Sequence, residues 1–141
     1  MPGSLVKYIG IPYVLNARDG FTAADCWGLV RLIYKAELDI ALPIYGEIDT
    51  KDLLSAAKRI KKQSSGLPWI DVREPQNFDV VLMRHGPHSN FPGHVGVWFD
   101  GCILHALDGM DSVLARATHL SVAWRILGYR RHAECNPNRL S

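Results

Sequence analysis

An α+β domain is the fold class this sequence predicts, with helices from its first half packed on a small antiparallel β-sheet from its second. Three observations predict it. Apolar residues recur at three-to-four spacing in the first half, and short runs rich in Val, Ile and aromatics follow Trp69. The 141 residues, 48% hydrophobic and 21% charged, suit one soluble globule with a single core.

The first helix is predicted from Asp25, where Cys26, Trp27, Leu29, Val30, Ile33, Tyr34 and Leu38 fall on one face over three to four turns. Asp25 is its N-cap, and Ala41-Leu42-Pro43 closes it. A second helix is predicted from Thr50 to about Gln63, burying Leu53, Leu54, Ala57 and Ile60. Ser64-Ser65-Gly66 with Pro68 marks a loop, not a domain boundary. The runs FDVVLM, HVGVWF, CILHAL, SVLARA and WRILGYR, divided by Gly, Pro, Asp and Asn, read as strands. The domain is expected over residues 1–132, with 133–141 a polar, flexible tail that includes Cys135.

Asp100-Gly101 is the sharpest local signal, because both residues suit the positive φ of a two-residue type I′ hairpin turn. If Phe99 pairs with Cys102, then Gly96 faces His105 and His94 faces Leu107. His94 and His105 then project from one face as diagonal neighbours, with β-carbons about 7–8 Å apart or somewhat less. Gly96 leaves room beside them. Val95, Val97, Phe99, Cys102, Leu104 and Ala106 occupy the other face, so the hairpin can bury a core without the histidines.

No stretch approaches the roughly 18 apolar residues of a membrane-spanning helix. The start, MPGSLVKYIG, lacks the apolar core and cleavage site of a secretory signal, so synthesis in a cytoplasm is expected. Sixteen basic against 14 acidic residues, net +2, is too even to predict nucleic-acid binding. Lys58, Arg59, Lys61 and Lys62, and likewise Arg130 and Arg131, read as solvated charges.

Three widely spaced cysteines suggest neither a disulfide framework nor a zinc knuckle. Cys102 reads as a small core residue. Cys26, in the first turn of a helix, has unsatisfied backbone N–H groups and the positive dipole end to stabilise its thiolate. A helix packed with that end against the histidines would assemble a nucleophile, a base and an orienting group. Ordinary packing roles for all three residues remain open on periodicity alone. His85 and His88 lack a third ligand at metal-binding spacing, so no metal is expected, and His88 is placed on the rim of a substrate groove. His119 and His132 carry no signal distinct from surface histidines.

Gly10-Ile-Pro-Tyr13, then Gly20-Phe-Thr-Ala-Ala-Asp25-Cys26-Trp-Gly28-Leu-Val30, then Gly93-His94-Val-Gly96-Val and Leu104-His105-Ala, resemble in order and spacing the NlpC family of cell-wall cysteine peptidases. The resemblance covers about residues 5–130. It implies a papain-like fold, Cys26 as nucleophile, His94 as general base and His105 as the residue holding its tautomer. Tyr13 matches the family's tyrosine near the nucleophile, and Asp25 and Trp27 flank Cys26 at the substrate site. The implied reaction is hydrolysis of peptidoglycan stem peptides, typically between D-γ-glutamyl and a diamino acid, through a thioester and without cofactor.

Two departures alter the implied pocket: Val-Leu-Asn-Ala follows Tyr13 where aromatic-Gly-Gly is frequent, and Trp27 replaces a small residue. Asp-Cys-Trp-Gly-Leu-Val, with Arg18-Asp19-Gly20 before it and Leu42-Pro43-x-Tyr45 after, resembles the branch carried in bacteriophage tail tips. That branch implies tail-hub partners, a virion location and action on the host wall during genome delivery. A structural hub subunit with weak or lost catalysis, and an amidase or acyltransferase on the same scaffold, are the alternatives.

Overall fold

The computed structural model describes residues 5–12, 14, 25–42, 69–84, 86–87, 92–106 and 111–135. The expected helix at 50–63 lies outside them, as do Tyr13, His85, His88 and the end of the chain from 136.

Helix α1 (Cys26–Ile33) begins where the sequence predicts. Asp25 is extended at φ −84° and ψ −176°, and its carboxylate accepts the Gly28 N–H at 2.7 Å. This satisfies one of the orphan donors of the first turn. Trp27, Leu29, Val30 and Ile33 are buried. The chain continues through a π-helical turn, Tyr34–Leu38, and stops at Asp39, which adopts the left-handed conformation at φ 54°. The helix therefore ends before Ala41-Leu42-Pro43. Tyr34 is buried on the same face as Val30 and Ile33, and its hydroxyl donates to the Phe78 carbonyl.

Among the described residues six antiparallel strands follow: β1 (Trp69–Val72), β2 (Val80–Arg84), β3 (Pro92–Phe99), β4 (Cys102–His105), β5 (Val113–Arg116) and β6 (Ile126–His132). Their order across the sheet is β1-β6-β2-β3-β4-β5. Five correspond to the runs read as strands. β1 does not, because Trp-Ile-Asp-Val is too short to show alternation and is held only by pairing with β6.

Asp100 (φ 50°) and Gly101 (φ 78°) form the expected turn. Asn77 clamps it, accepting the Asp100 N–H at 2.8 Å and donating to the Asp100 carboxylate at 3.1 Å. Phe99 pairs with Cys102 and Gly96 with His105, the register that the turn predicts.

The sheet has two unlike faces. On one, Val80, Leu82, Val95, Val97, Phe99, Leu104 and Ala106 merge with Leu29, Val30 and Ile33 into the main core, so the body of α1 lies there. On the other, Val81, Met83 and Ile103 form a smaller cluster closed by Val122. Val122 belongs to the connection from β5 to β6, which must pass β4, β3 and β2 and does so over this second face.

Several sequence expectations are corrected here. Residues 133–135, at the start of the expected tail, form a 3₁₀ turn with Cys135 partly buried against the main core. Cys102 is only half-buried beside the turn. Arg131 is no solvated charge: its Nε and Nη2 grip the two oxygens of buried Asp79 at 2.9 and 2.8 Å. His132 is buried edge-on to Trp69, with ring centroids 5.0 Å apart. Arg131, His132 and Cys135 lie on β6 or just beyond it, an inner strand whose position no local pattern announces.

Candidate active site

His94 and His105 meet as the hairpin register requires. Both are 2% exposed, and His94 Nε2 lies 2.9 Å from His105 Nδ1 with the rings 69° apart. Gly96 makes this possible. A Cβ there would come within 2.7 Å of Ile103 Cγ2 and 3.1 Å of His105 Cβ, closer than packed atoms tolerate.

His105 stays neutral near pH 7. Burial disfavours its charged form, the cation of Arg125 adds to the effect, and its pKa falls to about 4. Its Nε2 is buried without a hydrogen-bond partner among the described residues. A neutral imidazole has one N–H and one lone pair, so this pair has two tautomeric arrangements joined by a single hydrogen bond. In one, His94 donates from Nε2 to His105 Nδ1, leaving His94 Nδ1 as a base.

Cys26 opens α1, directly after its capping residue, and is half-buried against the main core. The helix packs on β3, the strand that carries His94 at its third position. Val95 and Val97 meet the helix, whereas His94 and Gly96 alternate to the other face. Asp25 is 2% exposed, its carboxylate engaged in capping. Trp27 is 8% exposed and edge-on to Trp69, with centroids 6.3 Å apart. The other two expected substrate residues, Tyr13 and His88, lie outside the described residues. Among the described residues, no group of three or more His, Cys, Asp or Glu could hold a metal ion.

Arg125 was not singled out from the sequence. It lies 20 residues after His105 and reaches the histidine face only through the β5–β6 crossover. Ser112 was missed likewise. Buried just before β5, its hydroxyl accepts the Ile11 N–H at 2.8 Å and donates to the Tyr8 carbonyl, while its backbone pairs with Gly10 and Ile11. That stitch fastens the segment leading to Tyr13 beside the Val113–His105 pair.

A family model described as NlpC/P60 family matches residues 10–125. No curated protein matches this chain. Among solved structures, an NLP/P60-family protein similar to lipoprotein from Staphylococcus aureus aligns over 90% of the chain at 22% identity and TM-score 0.59. The NlpC/p60 domain of the peptidoglycan hydrolase SagA aligns over 89% of both chains at 20% identity and TM-score 0.55. An NlpC/P60-family protein from Bacillus cereus aligns over 89% of this chain at 21% identity and TM-score 0.62. This chain spans 38% and 37% of the S. aureus and B. cereus chains and 89% of the SagA domain. The family match covers most of the sequence, includes Cys26, His94 and His105, and agrees with the fold: the chain belongs to the NlpC/P60 family.

Proposed function

We propose that the chain is a cysteine endopeptidase that hydrolyses amide bonds in peptidoglycan stem peptides, with Cys26 as nucleophile, His94 as general base and His105 as its orienting partner. The observation that carries this reading is the buried His94–His105 contact of 2.9 Å within a chain whose family match includes Cys26. No requirement of the fold calls for two buried imidazoles on an otherwise apolar hairpin.

With His105 accepting from His94 Nε2, the basic lone pair sits on His94 Nδ1, the atom assigned here to take the Cys26 thiol proton. The thiolate attacks the scissile carbonyl carbon, and the Cys26 N–H at the start of α1 helps to stabilise the oxyanion. Collapse forms the thioester as His94 returns its proton to the leaving amine. Water then attacks the thioester, giving one proton to His94, and the acid departs as that proton restores the thiol. Because His105 resists protonation, it remains an acceptor while His94 is charged.

The bond between D-γ-glutamyl and a diamino acid is the proposed target, from the family resemblance. A tail-tip setting, with tail-hub partners and action on the host wall during genome delivery, is proposed from Asp25-Cys-Trp-Gly-Leu-Val30 and its flanking Arg18-Asp19-Gly20 and Leu42-Pro43-x-Tyr45. Trp27 supports a catalytic protein over a purely structural hub: its ring packs on Trp69 in the core.

Mass spectrometry of purified peptidoglycan and defined stem peptides, incubated with wild type or Cys26→Ala, tests the proposal. New fragments from wild type alone are expected, and their masses identify the bond. Equal cleavage by Cys26→Ala would remove the nucleophile assignment.

A further inference from the structure

Three residues far apart in sequence, Tyr8, Glu37 and Ser112, form one polar chain at the main core. The Tyr8 hydroxyl donates to the Glu37 carboxylate at 2.5 Å, and the Tyr8 carbonyl accepts from the Ser112 hydroxyl. Tyr8 and Ser112 are both buried, and Lys7 adds an ion pair to Glu37 at 2.9 Å. Ser112 fastens the segment further: its hydroxyl accepts the Ile11 N–H, its carbonyl accepts the Gly10 N–H and its own N–H donates to the Ile11 carbonyl, each at 2.8 Å. Gly10, at φ 87°, supplies the backbone turn between Tyr8 and Ile11.

The ends of this chain belong to the two halves of the candidate site. Glu37 sits in the π-helical turn that continues α1, the helix that Cys26 opens. Ser112 immediately precedes Val113, which pairs with His105. Between them, Leu5, Tyr8 and Ile11 enter the same core as Leu29, Val30 and Leu104. Apolar contacts are non-directional and hold a helix on a sheet without fixing its tilt, whereas a buried hydrogen bond is lost when its geometry is lost. Glu37 lies roughly 16 Å along the helical path from Cys26, so a tilt of about 4° pivoting there carries Cys26 about 1 Å.

We infer that Tyr8 is a positioning residue: held by Glu37 at one end and Ser112 at the other, it braces α1 on the sheet and so sets where Cys26 stands relative to the histidine pair. The catalytic meaning of that placement rests on the peptidase reading, but the tilt of the helix is measurable without it.

Two measurements test it. Tyr8→Phe keeps the buried ring and removes only the hydroxyl, and Ser112→Ala cuts the other end. Residual dipolar couplings of the α1 amides, referred to those of β3 and β4, should report a tilt of about 4° in both variants and none in Glu37→Gln, whose amide oxygen still accepts from Tyr8. The second measurement follows alkylation of Cys26 by iodoacetamide against pH, with peptide mapping to separate it from Cys102 and Cys135. At an effective dielectric of about 20, widening a thiolate–imidazolium pair from about 4 to about 5 Å weakens it about fourfold, so the alkylation midpoint should rise by about 0.6 pH unit in Tyr8→Phe and stay at the wild-type value in Glu37→Gln. Phe99→Leu, a truncation of the same core away from the chain, should lower stability and leave both readouts unchanged. An unchanged tilt in folded Tyr8→Phe and Ser112→Ala would overturn the proposal, as would an unmoved midpoint where that of wild type is depressed, or equal changes in Phe99→Leu. If α1 tilts while wild-type Cys26 titrates as an ordinary thiol, near about pH 8.5, the brace stands and the nucleophile assignment falls.

Discussion

The two faces of the sheet solve different problems with the same strands. On the helix face, Val95, Val97 and Leu104 meet Leu29, Val30 and Ile33 in a continuous apolar core that any well-packed globule could use. On the crossover face, Val81, Met83, Ile103 and Val122 form a smaller apolar cluster, while His94 and His105 occupy alternating strand positions and are buried. One face can lose an atom and suffer mainly in stability. The other buries two imidazoles in contact with each other, so its apolar residues also set the dielectric around titratable groups.

The sharpest contrast should come from His94→Ala and Ile33→Ala. His94→Ala is expected to lower kcat/KM roughly 10³-fold or more while shifting the thermal midpoint little. Ile33→Ala, which truncates a fully buried residue of the helix face, should cost about 2–5 kcal/mol in urea unfolding yet leave turnover per folded molecule within about threefold. Comparable losses of activity in both variants would show that the faces are not separable.

The pH dependence of stability offers a second division. Above pH 6.5, His105 is neutral both folded and unfolded and has no effect. As pH falls from about 6.5 toward 4, the unfolded chain takes up a proton that the buried imidazole refuses, so stability declines, by up to about 3 kcal/mol once pH is below 4. Urea titrations across that range should show a shallower decline for His105→Gln than for wild type. Identical slopes would mean that burial of His105 is not the source.

A smaller effect is expected from Gly96→Ala, whose added methyl would press on Ile103 Cγ2 and on His105. Overpacking of this kind costs about 1–3 kcal/mol. Because one of the displaced groups is His105, the variant should also lose activity at temperatures where it is fully folded. Loss of stability alone would confine Gly96 to a packing role.

Much of this architecture is legible locally. Asp25 caps a helix because its carboxylate reaches Gly28 N–H, and Asp100-Gly101 turns a hairpin because both tolerate positive φ. From that turn, counting in pairs is enough to bring the histidines together. β1 was not legible, and neither were the burial of His132 and the Arg131–Asp79 pair, since each depends on β6 entering the sheet between β1 and β2.

Alone, the sequence determined the capped helix with Cys26 in its first turn, the hairpin register and the sharing of one face by His94 and His105. Those are consequences of short-range hydrogen bonding and backbone sterics, fixed by residues a few positions apart. Tertiary structure decided that the crossover would cover the histidine face and bring Arg125 to it, and that Ser112 would hold Gly10 and Ile11. Those contacts join residues up to about a hundred positions apart. They exist only because the strand order closes the chain upon itself, which no local period encodes.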